Sequence, residues 1–203
     1  MKYIRTYNES ANETIRVSCA GLARVKIDGA YLFIINKNSV KVGRPKYGPL
    51  GGALEFNEES RSFLEDIGAD FEKGMDLRIT IPQSNLDKYL NWFYTRKGRE
   101  ITSTREIYEE LALEENIVDM TMRDMSEVFI RSLSRDRISN RAGREGANTK
   151  SYFEIYEVEL SDYVKDQILE YIALDEENPK VILVDAENIE SDPRLAEHCK
   201  HVI

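Results

Sequence analysis

Residues 31–35, Tyr-Leu-Phe-Ile-Ile, are apolar at every position and follow residues 20–27 across the pair Asp28-Gly29. Asp-Gly suits a two-residue hairpin loop because both central positions take positive φ, so two antiparallel strands are expected here. A strand with one wet face alternates apolar and polar residues. One without alternation is covered on both faces. The sheet holding this strand therefore needs a layer on each side, and the expected fold is α/β, a three-layer α/β/α sandwich around a mixed sheet.

The rest of the chain supplies candidates for those layers. Leu77, Ile79 and Ile81 alternate with Asp76, Arg78 and Thr80 before Pro82, as in a half-exposed strand. Ser84 with Asp87 resembles a capping box ahead of a helical stripe of Leu86, Leu90 and Phe93 that Gly98 ends. A second helix is expected over 101–116, strands over 127–133 and 152–160, a helix from Ser161 through Ile172 and a short strand over 180–185. Residues 57–75 are polar and weakly patterned. No repeat, low-complexity stretch or Pro/Ser-rich linker interrupts the 203 residues, so residues 1–203 are expected to form one domain.

Composition excludes several classes. Apolar residues at 41% and charged residues at 32% place the chain among globular proteins. Its longest apolar runs, 31–35 and 181–184, fall far short of the ~20 residues that span a bilayer, so no direct membrane insertion is expected. The N-terminus lacks the apolar core of a secretory signal, and Cys19 and Cys199 cannot build a disulfide framework; a cytoplasmic location is expected. A net charge of −9 argues against extended nucleic-acid binding. Cys19 is expected in the core, and the C-terminal His198-Cys199-Lys200-His201 in a disordered tail.

The strongest chemical signal is Arg105-Glu106-Ile107-Tyr108-Glu109-Glu110-Leu111. At about 100° per residue, Glu106, Glu109 and Glu110 share one arc of the helix, while Thr104, Ile107, Tyr108, Leu111 and Ala112 share the other. Like charges four residues apart disfavour a bare helix, whereas a hard divalent cation with oxygen ligands reverses that sign. Arg105 stands one turn before Glu109, where it can orient it. The alternative is a solvated acidic face with no ligand. Gly51-Gly52, beside the strand-like residues 53–56, marks tight backbone geometry or close approach of another group.

The hairpin, the Gly51-Gly52 step and the acidic helix occur in the order found in Nudix domains, whose signature this helix resembles. Arg105, Glu106, Ile107, Glu109, Glu110 and Leu113 match its second half in register. Ala112 stands where the signature has glycine. Gly52 and Arg105 are separated by 52 residues, far more than the usual spacing, and residues 57–100 form an insertion with the 77–81 strand and the 84–95 helix. Glu55 and Glu100 are the candidates for the signature's upstream glutamate. Asp76-Leu77-Arg78-Ile79, Lys97-Gly98-Arg99-Glu100 and the acidic helix further resemble the SMODS-associated Nudix subgroup, tied to bacterial cyclic-oligonucleotide synthases. The resemblance covers about residues 18–160, leaving a C-terminal helix and strand at 161–185 and a tail at 186–203.

For the general family the resemblance implies Mg²⁺-dependent hydrolysis of a nucleoside-diphosphate-linked compound, with Mn²⁺ as the other candidate ion. Glu106, Glu109 and Glu110 would then be metal ligands and catalytic residues. Gly51 and Gly52 would support the substrate loop. Residues 131–150 carry Arg131, Arg135, Arg137, Arg141, Arg144 and Lys150 against Asp136 and Glu145, a local +4 in an acidic chain. Arg141, Arg144 and Lys150 are the candidate substrate phosphate contacts, because guanidinium forks on a pliable loop suit phosphate oxygens. A small nucleotide ligand is the expected partner. The alternative, from the subgroup resemblance and Ala112, is a non-hydrolytic receptor for a nucleotide second messenger in antiphage signalling. Such a receptor acts through a signalling partner or a homo-oligomer.

Overall fold

A computed structural model of the chain describes residues 13–139, 143–174 and 179–203. Its strands and helices are, in chain order, β1 (Thr14–Ile27), β2 (Ala30–Ile35), α1 (Lys37–Lys41), β3 (Tyr47–Gly48), β4 (Gly51–Ala53), α2 (Arg61–Asp66), β5 (Asp70–Phe71), β6 (Arg78–Pro82), α3 (Leu86–Tyr94), α4 (Thr104–Tyr108), β7 (Met125–Ile138), β8 (Asn148–Leu160), α5 (Asp162–Leu174) and β9 (Val181–Val184). At the predicted hairpin, Asp28 has φ 52° and Gly29 φ 87°, the backbone that a two-residue turn requires. Ile27 pairs with Ala30 across it.

The residues fall into two compact units of interleaved segments. Of the described residues, one holds those within 13–20, 53–101 and 132–153, the other those within 21–52, 102–131 and 154–203. In the first, the start of β1 pairs antiparallel with β6, Ile15 opposite Ile81 and Val17 opposite Ile79, and β6 pairs with β5. The alternation read from the sequence holds: Leu77, Ile79 and Ile81 are fully buried, with Cys19, Leu64, Tyr89 and Phe93 in the same cluster. Two elements lie in the stretch that looked unpatterned, α2 and β5. Their apolar positions, Phe63, Leu64, Ile67 and Phe71, are too few to show a period. The Ser84–Asp87 capping box does not form. Asn85 precedes α3 without a side-chain cap, and its amide donates to the Ile67 carbonyl instead. Arg16, 2% exposed, forms a two-pronged ion pair with Glu72 at 2.5 and 3.0 Å.

In the second unit β2 pairs antiparallel with β9 over Tyr31–Val184 to Ile34–Val181, and with β3 at Ile34–Gly48. Leu32 and Ile34 enter a core with Ile107, Leu111, Val164 and Ile168, so α4 and α5 both pack on this cluster. Tyr31 and Phe33, on the other face of β2, are also buried, as the run without alternation demands. The expectation of a disordered tail is corrected. Residues 197–202 form a 3₁₀ turn with Cys199 and Val202 buried, and the Ala196 amide donates to the Tyr47 carbonyl. Short, widely spaced apolar residues anchor it, a pattern with no period to read.

Candidate functional site

Two glycines and the acidic helix build the site, all within the second unit. Gly51 has φ +122°, and a Cβ there would sit 2.1 Å from the Gly21 carbonyl oxygen, so the backbone admits only glycine. Its N–H donates to Glu110 Oε2 at 2.9 Å. A Cβ on Gly52 would lie 2.1 Å from Glu106 Oε2. The close approach suggested by the Gly-Gly step is thus made by carboxylates of the chain itself. Glu106 and Glu110 come to consecutive backbone positions.

The helix that delivers them is anchored at both ends. Ile107 and Leu111 are fully buried, and Tyr108 and Ala112 pack partly against the same core, as their arc predicted. Leu113, which matches an apolar signature position, is 62% exposed. Ahead of α4, Glu127 Oε2 accepts hydrogen bonds from Ser103 N and Oγ, both at 2.9 Å. Beyond Tyr108 the helix does not continue as α. Glu109–Glu114 is a π-helix, with the Glu115 amide bonded to the Glu110 carbonyl five residues back. Such single wide turns collect at functional sites. Past it, Glu115 meets Lys37 at 2.9 Å and Lys180 at 3.1 Å.

Charge is distributed unequally over the three glutamates. Arg105 Nη1 lies 3.0 Å from Glu106 Oε1 and 3.1 Å from Glu109 Oε2, so the expected Arg105–Glu109 pair forms and Glu106 shares it. Burial pushes the Glu110 carboxyl up to about 8; the Gly51 N–H opposes the rise and the neighbouring Glu106 charge adds to it. Among the described residues, no three His, Cys, Asp or Glu side chains are grouped so as to hold a metal ion. The donor set nevertheless fits a hard divalent cation. It is all oxygen, and Glu106 and Glu110 meet at one loop, where a cation would favour ionisation of the raised Glu110 carboxyl beside Glu106.

Other candidates have partners within their own units. In the first unit Glu100 Oε2 accepts from the Glu55 amide at 3.2 Å, Arg144 pairs with Asp70 at 3.0 Å and Lys150 with Asp136 at 2.7 Å. In the second, Arg131 donates to the His201 and Ile203 carbonyls. Arg141 lies outside the described residues. Asp124 closes a reciprocal capping box with Thr121. In the sequence Asp119, Asp124 and Glu127 follow the acidic helix as acids that could supply a further metal ligand or base, and the role of Glu127 as a cap could not be read there. Its partner Ser103 is brought to it by the fold.

A two-sided sheet, a glycine step and an Arg-Glu-x-x-Glu-Glu helix packed onto that step define a Nudix domain. Residues 14–203 match the SMODS-associated NUDIX domain family, and the chain belongs to it; the α/β/α class expected from the strand pattern is that of the family. No curated protein matches the chain. Nudix domains generally use divalent metals.

Proposed function

We propose that this domain is a Mg²⁺-dependent hydrolase acting on a nucleoside-diphosphate-linked or related nucleotide compound. The reading is carried by the convergence of Glu106 and Glu110 on Gly52 and Gly51. Glu106 and Glu110 would hold the ion, with Glu109 joining them on leaving Arg105. A bound divalent ion supplies charge neutralisation at a phosphate and a lower pKa for its water. The Gly51 N–H fixes Glu110, and Arg105 orients Glu106 and Glu109. Glycine at 52 leaves the space that the Glu106 carboxylate needs.

Product release from a nucleotide panel with Mg²⁺, compared with a Glu109→Gln/Glu110→Gln double variant, tests this. Turnover is expected to fall by more than the ~10–100-fold typical of losing an outer-shell partner. Equal activity in both proteins would remove the mechanism.

A second reading rests on Arg105, which already places a fixed cation against two of the three carboxylates. It makes the domain a non-hydrolytic receptor for a nucleotide second messenger in antiphage signalling. Calorimetry in EDTA with cyclic dinucleotides and oligonucleotides separates the two. Tight binding without turnover favours the receptor.

A further inference from the structure

Tyr108 and Ala112, on the arc of the acidic helix opposite the glutamates, line a pocket of about 400 Å³ together with Leu113 and residues 116–120. That volume lies in the range of small-ligand sites. Ala112, Leu113 and Met120 make part of its lining apolar, and the exposed Leu113 side chain thereby has a wall to form. The backbone fixes the pocket's shape. Past the π turn the Ile117 and Val118 amides both donate to the Leu111 carbonyl, at 2.8 and 3.4 Å. Asn116 takes φ 51°, a left-handed conformation that asparagine tolerates. The Asp119 N–H donates to Gln167 Oε1 at 2.8 Å, and its carbonyl accepts from Gln167 Nε2 at 3.2 Å. The side chains of Asn116 and Asp119 are not used in this clamp. Both residues are exposed, and among the described residues neither the Asn116 amide nor the Asp119 carboxylate is held by a hydrogen bond or ion pair.

We infer that this pocket binds the guanine base of a nucleotide; the inference rests on the proposed function for the nucleotide and not for its hydrolysis. A carboxylate only accepts hydrogen bonds, and it can take two donors side by side. Guanine offers such a pair in its N1–H and 2-amino group. The amino groups of adenine and cytosine each stand beside a ring-nitrogen lone pair, which a carboxylate repels, and the N3–H of uracil stands between two carbonyls. The Asn116 amide supplies the donor that guanine O6 or N7 needs. The Tyr108 ring and the Met120 sulfur suit the flat face of a base.

Calorimetry on the full chain in EDTA, with GDP, ADP, CDP, UDP and IDP, tests the proposal. GDP is expected to bind most tightly. IDP, which lacks only the 2-amino group, should bind about 10–100-fold more weakly, and Asp119→Ala should cost GDP as much. Asn116→Gly keeps a residue suited to the left-handed backbone and removes the amide, so it should weaken GDP about 10-fold with little change in melting temperature. Asp119→Asn should lose GDP and gain XDP, whose base carries a carbonyl in place of the 2-amino group, a gain that a misfolded protein does not produce. Equal affinity for all the bases, no binding of any, or an Asp119→Asn protein with the parent's preference would overturn the inference. Hydrolysis plays no part in these measurements. A base-blind protein whose turnover still fails in the Glu109→Gln/Glu110→Gln variant would sink the pocket and leave the hydrolase standing.

Discussion

Gly51 and Gly52 are neighbours, yet substitution should damage different things. Alanine at 51 drives a Cβ into the Gly21 carbonyl with φ at +122°, and neither backbone segment yields easily. Gly51→Ala should cost about 1–3 kcal/mol or more in urea unfolding. At 52 the obstacle is the far end of the Glu106 side chain. Gly52→Ala should melt within a few degrees of the parent while turnover collapses, because the carboxylate has to leave the site. Glu110 gives a second test. Its carboxyl is raised by burial from 4.5 to about 8, so between those values the native state binds a proton that the unfolded chain has released. Stability then falls as pH rises through this window and is fully present only below it. Relative to Glu110→Gln, the parent should lose about 1–3 kcal/mol between pH 5 and 8. Thermal melts across that range measure it, and added Mg²⁺ should flatten the slope. The sequence marked both glycines and all three glutamates separately. That they meet pairwise was not legible, because 52 residues separate Gly52 from Arg105.

At the scale of elements, periodicity found what it can find. The hairpin, the alternating strand before Pro82 and the buried face of the acidic helix were all readable, because burial imposes a period on the residues themselves. The π turn at 109–114 leaves no such trace. Its residues, Glu-Glu-Leu-Ala-Leu-Glu, are ordinary helix formers, and the widening depends on what packs around them. The helix start is likewise set from a distance, by Glu127 on β7 accepting from Ser103 N and Oγ. Removing a charged acceptor from two donors costs about 1.5–3 kcal/mol, so Glu127→Ala should lower stability by that amount in chemical denaturation. Turnover per folded molecule should fall with it, because Glu106 lies three residues beyond Ser103. Glu127→Gln, which retains an acceptor, should recover most of both.

For the whole molecule, the two units are each assembled from three separated stretches, and β1, β7 and β8 contribute to both. No compositional boundary marks where a strand passes from one core to the next, so a linear reading saw continuous strands and no division. The division has a consequence for where function and stability reside. Glu106, Glu109, Glu110, Gly51 and Gly52 all belong to one unit, whereas the Arg16–Glu72 pair lies in the other. With side chains 1% and 6% exposed, that pair is nearly dry. Breaking a buried pair from one side strands a charge and costs about 3–5 kcal/mol, while replacing both partners by apolar residues is often neutral or better. Arg16 Nη1 is already buried without a hydrogen-bond partner among the described residues, which deepens the penalty once Glu72 is gone. Glu72→Ala should therefore unfold at markedly lower urea, and Arg16→Met/Glu72→Met should return near the parent midpoint. Under conditions where each protein is folded, all three should turn over the nucleotide at the same rate. A rate that tracks Glu72 would place part of the chemistry in the unit that holds it.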